Sequence, residues 1–370
     1  MSTQNNWPEW LPLRDPLKPM TPYGAPQVAA SAQLNTNENP FAPSPALVAA
    51  IAKRVAEVSA TLNRYPDRDA IALRAALAKY ISTQSKSNFA VANLWAANGS
   101  NEIIQSIFLA FGRESALGFT PSYSMHPLIA KVTGVKWIDG KRRADFSLDA
   151  SAACTEIRAT KPTLTFITTP NNPTGSIVEL SEIAELAQAT AEVGGLLVVD
   201  EAYAEFSAEP SAATLIGKYP NLIVIRTMSK AFAFAGARLG YLIADPVVID
   251  ALQLVRLPYH LSAITQAVAE VALSFSAELL AGVDTLIAQR EVVQAALIQL
   301  GLSVTPSAAN FLLFSGFKQP ANEIWQKLLD RGILIRDVGL LGQLRVTIGT
   351  AAENQEFLSA LAEVLREGDM

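Results

Sequence analysis

The chain has 370 residues, 50% of them hydrophobic and 17% charged, enough apolar side chain for two domains and a large buried core. A net charge of −5, with no basic block and no aromatic-basic interleaving, argues against nucleic acid as a partner. The single cysteine, Cys154, excludes an internal disulfide and reads as a small buried residue, while two widely separated histidines, His126 and His260, leave no set of zinc ligands.

Prolines at 8, 12, 16, 19, 22 and 26 forbid regular helix or central strand and predict an extended arm over residues 1–43, laid on another surface. No basic segment followed by an apolar run opens the chain, and no stretch approaches 18 consecutive apolar residues, so a soluble cytoplasmic protein that avoids the membrane is expected. Ser44-Pro45 signals a helix start, with Leu47, Ile51, Val55 and Val58 at helical spacing. A second helix is expected from Asp69, with Leu73, Leu77 and Tyr80 on one face.

From about 90 to 245, short β-rich runs alternate with helical ones. Candidate strands are Leu164–Thr168, Leu196–Val199 and Leu222–Ile225, with a helix around 181–193 between the first two. Near-continuous apolar strands of this kind predict a mostly parallel sheet with helices on both faces, in a large domain spanning 44–262. Beyond it, a long helical region to about 300 precedes strands near Phe311–Phe314, Ile333–Ile335 and Leu344–Ile348 and helices at 321–331 and 352–366. That order predicts a smaller α+β domain over 263–370. The class is α/β.

Three of these strands end in polar clusters, at the edge where open parallel sheets bind ligands. The first runs into Thr169-Pro170-Asn171-Asn172-Pro173-Thr174-Gly175, the second into Asp200-Glu201-Ala202-Tyr203, and the third into Arg226-Thr227-Met228-Ser229-Lys230, with Arg238 beyond. Singly, they read as a turn, a helix cap and a solvated lysine. Upstream, Asn98-Gly99-Ser100-Asn101-Glu102 leads into Ile103-Ile104, putting Gly99, Ser100 and Asn101 at a helix start that favours an anion or is simply capped. No Gly-x-Gly-x-x-Gly follows an early strand, which disfavours a nicotinamide dehydrogenase.

One chemistry unites the clusters. A lysine amine can condense with the aldehyde of pyridoxal 5′-phosphate (PLP), and a carboxylate against the pyridinium nitrogen keeps the ring an electron sink. The arrangement resembles fold type I, the aspartate-aminotransferase type. That resemblance makes Lys230 the Schiff-base lysine and Asp200 the partner of the ring nitrogen. It gives Asn172 and Tyr203 to the phenolate oxygen, and Thr227, Ser229 and Arg238 to the phosphate. Tyr123 occupies the position that stacks on the ring, although alone it would read as a core tyrosine.

Leu34-Asn35-Thr36-Asn37-Glu38-Asn39-Pro40, Arg64-Tyr65-Pro66-Asp67 and Arg226-Thr227-Met228-Ser229-Lys230-Ala231-Phe232 further resemble histidinol-phosphate aminotransferases. Thr21 to Gln27 is similar to their actinobacterial branch. This resemblance implies transfer of an amino group between L-histidinol phosphate and 2-oxoglutarate, giving imidazole-acetol phosphate and L-glutamate, in histidine biosynthesis. Arg336 and Arg345 then match the arginines for the substrate anions, and Tyr23 and Asn37 match pocket positions. Tyr65 matches a residue contributed by the neighbouring subunit of a homodimer with shared sites, and Tyr259 one near the imidazole. An aromatic-amino-acid aminotransferase or a threonine-phosphate decarboxylase of the same subgroup is the alternative. No metal is implied.

Overall fold

The computed structural model describes residues 7–367, so the first six residues of the expected arm and the last three of the chain lie outside the described residues. The arm is not wholly extended: Pro16, fitted to the start of a helical turn, sits in a short 3-10 turn (Asp15–Leu17) before the chain runs on without regular structure to a short strand, β1 (Ala32–Gln33). Helices α1 (Pro45–Ser59) and α2 (Ile71–Ser85) follow. The Ser44 side chain caps α1 by accepting the Leu47 N–H at 3.2 Å, as its sequence signals. Helix α2 starts two residues later than expected, because Asp67 accepts the N–H groups of Asp69 and Ile71 while Ala70 takes a left-handed φ of 48°.

The alternating segment runs β2 (Leu94–Ala97), α3 (Ser100–Phe111), β3 (Ser115–Thr120), α4 (Met125–Thr133), β4 (Lys136–Lys141), α5 (Ala150–Thr160), β5 (Leu164–Thr168), α6 (Leu180–Glu192), β6 (Leu196–Asp200), β7 (Leu222–Thr227) and β8 (Gly240–Ile243). Helices α7 (Pro246–Gln253), α8 (Ala263–Ser274) and α9 (Ser276–Gln299) lead out of it. The last part holds β9 (Ser303–Val304), β10 (Phe311–Ser315), α10 (Ala321–Asp330), β11 (Ile333–Leu334), β12 (Arg336–Asp337), β13 (Gln343–Thr347) and α11 (Ala351–Glu367).

Seven strands form the main sheet in the order β2-β8-β7-β6-β5-β3-β4, all parallel except β8, which runs against both neighbours. Strand side chains alternate between faces, and here both faces are core. Leu197, Val199, Leu222 and Val224 pack into one cluster with α2, α5 and α6. Val198, Ile223 and Ile225 pack into a second with α3, α4 and α7. Burial on both sides is why these strands read as unbroken apolar runs rather than alternating ones.

The smaller sheet is antiparallel, in the order β12-β13-β10-β9. The strand expected at Ile333–Ile335 is divided. Ile333 and Leu334 pair in parallel with Ala32 and Gln33 of the arm, and Arg336 and Asp337 pair with β13. Among the described residues no single helix is long and apolar enough to cross a membrane. Helices α8 and α9 pass such a test only as a pair bent by 71°.

Candidate active site

Strands β5, β6 and β7 end side by side, and their carboxyl ends open into a cavity of about 480 Å³. Asp200 is the last residue of β6 and Thr227 the last of β7, while Asn172 follows β5 in its turn. The two adjacent asparagines of that turn divide the work. Asn171 is fully buried and locks the turn by donating to Pro121 O (2.9 Å) and Thr174 Oγ1 (2.8 Å). Asn172 faces the cavity.

Asp200 is 2% exposed and meets His126 of α4, whose Nε2 lies 3.2 Å from Oδ2. Its Oδ1 accepts the Ala202 N–H at 3.2 Å. His126 is equally buried and meets the Tyr123 ring edge-on. Sequence reasoning did not find it, since a lone histidine in a helix carries no spacing signal.

A polar chain crosses from the main sheet to the smaller one. The Tyr203 hydroxyl accepts from Asn37 Nδ2 (2.8 Å) and Asn172 Nδ2 (3.3 Å). Arg345 of β13 donates through Nη1 to Asn172 Oδ1 (2.6 Å) and through Nη2 to Asn35 O (2.7 Å), over the face of Phe311. Burial pushes the Tyr203 hydroxyl pKa up and the Arg345 guanidinium down to about 10. The Nε of Arg345 is buried without a hydrogen-bond partner, a donor still to be satisfied. Asn37 holds its place through a left-handed φ of 57° and a bond between its backbone N–H and Thr347 Oγ1.

An anion cradle lies at the other end. Ser100 and Asn101 begin α3, so their N–H groups are free of intrahelical partners. Gly99 has φ +85°, and a Cβ there would meet Arg238 Nη2 at 2.7 Å. A Cβ at Gly240 would come within 2.6 Å of the Gly99 carbonyl carbon and the Ser100 nitrogen. The two glycines thus let the helix start approach β8 and Arg238. Thr227 donates to Ser229 Oγ (3.0 Å), which sets both hydroxyls on the same wall, and Asn101 Oδ1 accepts from Tyr123 (3.1 Å).

Lys230 is half-buried beside these groups and donates from Nζ to Thr36 O at 2.8 Å. Burial, with Arg345 adding to it, lowers its pKa to about 8. Tyr23, Glu38 and Arg336 also line the cavity. Tyr65 and Tyr259 do not. They stack on each other at 4.4 Å on the surface, 79% and 40% exposed. His260 donates from Nε2 to Ala96 O (2.9 Å) and stacks on Trp95, which makes it a support for the end of β2.

The aminotransferase class I and II family pattern matches residues 31–361. The histidinol-phosphate aminotransferase of Mycolicibacterium vanbaalenii is 54% identical over 358 residues, 96% of each chain. That of Nocardia farcinica is 56% identical over 351 residues, 94% of this chain and 90% of its own. Among solved structures, histidinol-phosphate aminotransferase from Sinorhizobium meliloti in complex with pyridoxal-5′-phosphate superposes with a TM-score of 0.81 at 27% identity, covering 92% of both chains.

Proposed function

We propose, for a chain that belongs to the histidinol-phosphate aminotransferases within the class I and II aminotransferase family, that its reaction is carried by Lys230, Asp200 and Arg345 around one cavity. The activity is that of a histidinol-phosphate transaminase of histidine biosynthesis, with PLP as cofactor. An amino group moves between L-histidinol phosphate and 2-oxoglutarate.

The residues fit that cofactor. The cradle between Gly99 and Gly240 gives free N–H groups and the Arg238 guanidinium to one anion, and the unpartnered Nε of Arg345 calls for another. Asp200 would hold the ring nitrogen, Asn172 and Tyr203 the ring oxygen, and Tyr123 the ring face. Thr227, Ser229 and Arg238, with Gly99, Ser100 and Asn101, would hold the phosphate. When bound, the cofactor supplies an electron sink for negative charge developing on the substrate carbon that bears nitrogen.

Lys230 is the general base and acid at that carbon. Its pKa of about 8 leaves roughly a tenth of the amine neutral at pH 7, far more than for an ordinary lysine, and the Thr36 carbonyl orients the amine. Arg345 and Arg336 receive the anionic ends of the two substrates in turn, phosphate and carboxylate, with planar donors suited to both. Tyr23 and Asn37 shape the same wall.

The working unit is a homodimer with shared sites. Support comes from the Tyr65–Tyr259 stack, left outside its own cavity, and from Leu254 and Leu257 nearby, 85% and 75% exposed. Within such a dimer, Tyr65 reaches the partner's substrate phosphate and Tyr259 stands behind it. A cytoplasmic location accords with the free, buried Cys154.

The observation that carries this reading is the convergence of a lysine, a buried carboxylate and a helix-start cradle on one sheet edge. The test is the absorbance spectrum of the PLP-loaded protein and its change on adding histidinol phosphate, phenylalanine or threonine phosphate separately. A spectral response and turnover with histidinol phosphate far above the others is expected. Preference for either rival substrate would overturn the assignment.

A further inference from the structure

Three buried charges lie one or two residues from groups of the candidate site. Glu201 follows Asp200, Arg226 precedes Thr227, and Glu205 lies two residues beyond Tyr203. Successive strand residues point to opposite faces, so strand ends that turn Asp200 and Thr227 into the cavity turn Glu201 and Arg226 away from it. Behind the cavity these side chains meet. Arg226 Nε is 2.8 Å from Glu201 Oε2, an ion pair whose N–H is not aligned for a hydrogen bond, and its Nη1 donates to Glu205 Oε1 at 2.9 Å. Glu201 is held further by Ser211 Oγ (2.7 Å) and the Ala212 N–H (2.6 Å), and Glu205 by the Tyr80 hydroxyl of α2 (3.4 Å). Tyr241, cross-strand from Arg226 on β8, adds a buried hydroxyl without a hydrogen-bond partner.

A buried ion cluster of this kind adds little net stability over apolar packing, since desolvation offsets its Coulomb attraction. It does fix geometry, because a rigid guanidinium admits few placements of two carboxylates. Each anchor here lies one or two residues along the chain from a group that would touch the cofactor. We propose that Arg226 is a positioning residue for the PLP site: by bridging Glu201 and Glu205 it sets the spacing of Asp200, Tyr203 and Thr227. This rests on the cofactor assignment above. The cluster touches no part of the cavity itself and acts only through these three neighbours.

The test uses the full-length holoenzyme with Arg226→Lys and, separately, Glu205→Gln, which keeps an acceptor for Arg226 and Tyr80 while removing one charge. Three quantities are measured: the PLP dissociation constant, the absorbance of bound PLP across pH, and the melting temperature with and without PLP. Arg226→Lys is expected to weaken PLP binding roughly tenfold, the scale on which residues that orient a primary ligand act, and to displace the spectral titration. Glu205→Gln is expected to weaken binding about threefold and displace the titration in the same direction. A purely structural cluster would lower both melting temperatures equally and leave affinity and titration unchanged, and that result overturns the proposal. If Arg226→Lys does not fold, Glu205→Gln decides alone by the same two readouts. Failure of the unaltered protein to bind PLP would instead overturn the cofactor assignment, and this inference with it.

Discussion

The imidazole Nε2 of His126 stands 3.2 Å from Oδ2 of Asp200, with both side chains all but sealed from solvent. Contact with an ionised carboxylate requires that this nitrogen carry the proton, so the pair fixes the tautomer as well as the carboxylate plane. Asp200→Asn is expected to slow the proton shift by orders of magnitude while some PLP is retained, because an amide cannot hold a pyridinium proton as a carboxylate does. His126→Asn should give a smaller loss, about tenfold, by freeing the carboxylate to rotate. Single-turnover kinetics on loaded protein separates the two. Near-normal rates in both variants would reduce Asp200 to a helix-side cap.

Lys230→Ala is expected to abolish turnover with the fold intact, and borohydride reduction of the unaltered enzyme should leave the pyridoxyl label on Lys230 and on no other lysine. The amine's folded pKa of about 8 lies below the ordinary 10.5, so the unfolded chain binds the extra proton between those values. Cofactor-free protein should therefore gain stability as pH rises from about 8 toward 10.5, and PLP capture should accelerate up to about pH 8 and then level. Stopped-flow capture rates that keep rising to pH 10 would contradict this.

Arg345→Lys should impair both half-reactions, each by about 2 kcal/mol in kcat/KM, since both substrate anions are assigned to this guanidinium and lysine loses its planar, bidentate geometry. Lysine also cannot reach Asn172 and Asn35 O together, as Nη1 and Nη2 do. Unchanged kcat/KM for histidinol phosphate and for glutamate would refute the assignment.

Mixing Lys230→Ala chains with Tyr65→Ala chains, unfolded and refolded together, tests the shared site. A mixed dimer has one doubly defective site and one intact site. Half of randomly paired dimers are mixed, so activity should recover to about a quarter of the unaltered enzyme. Tyr65→Ala alone must first prove nearly inactive. Recovery no higher than the mean of the parents would assign Tyr65 to its own chain or to none.

Much of this architecture is legible in the sequence where burial is complete. Strands β5, β6 and β7 declare themselves as apolar runs because both their faces are core, and their polar last residues mark the ligand edge. Strand β3 hides behind its small residues: Gly118 leaves space for Trp137, whose ring atoms a Cβ would meet at 2.4 Å. Strand β4, at the sheet's edge, has charged and half-exposed positions and lacks the apolar run. In the candidate site, residue types and strand ends draw attention to Lys230 and Asp200, and the resemblance to fold type I supplies their expected roles. What no spacing reveals is a contact between distant segments: His126 under Asp200, or the Asn35 and Thr36 carbonyls that receive Arg345 and Lys230.

The pairing of β1 with β11 has a consequence for how the protein is made. Ala32 and Gln33 are made about 300 residues before their partners Ile333 and Leu334, and Asn37 about 300 before the Thr347 that fixes it. The main sheet can assemble from consecutive segments while translation continues. The wall that Asn37 presents to Tyr203 cannot. A nascent chain stalled before residue 333 would therefore hold its lysine and carboxylate on a finished sheet, with the arm still undocked and Arg345 not yet made. The wall around Lys230 and Asp200 is complete only once the segment carrying Ile333 to Thr347 has emerged and the arm has docked on it.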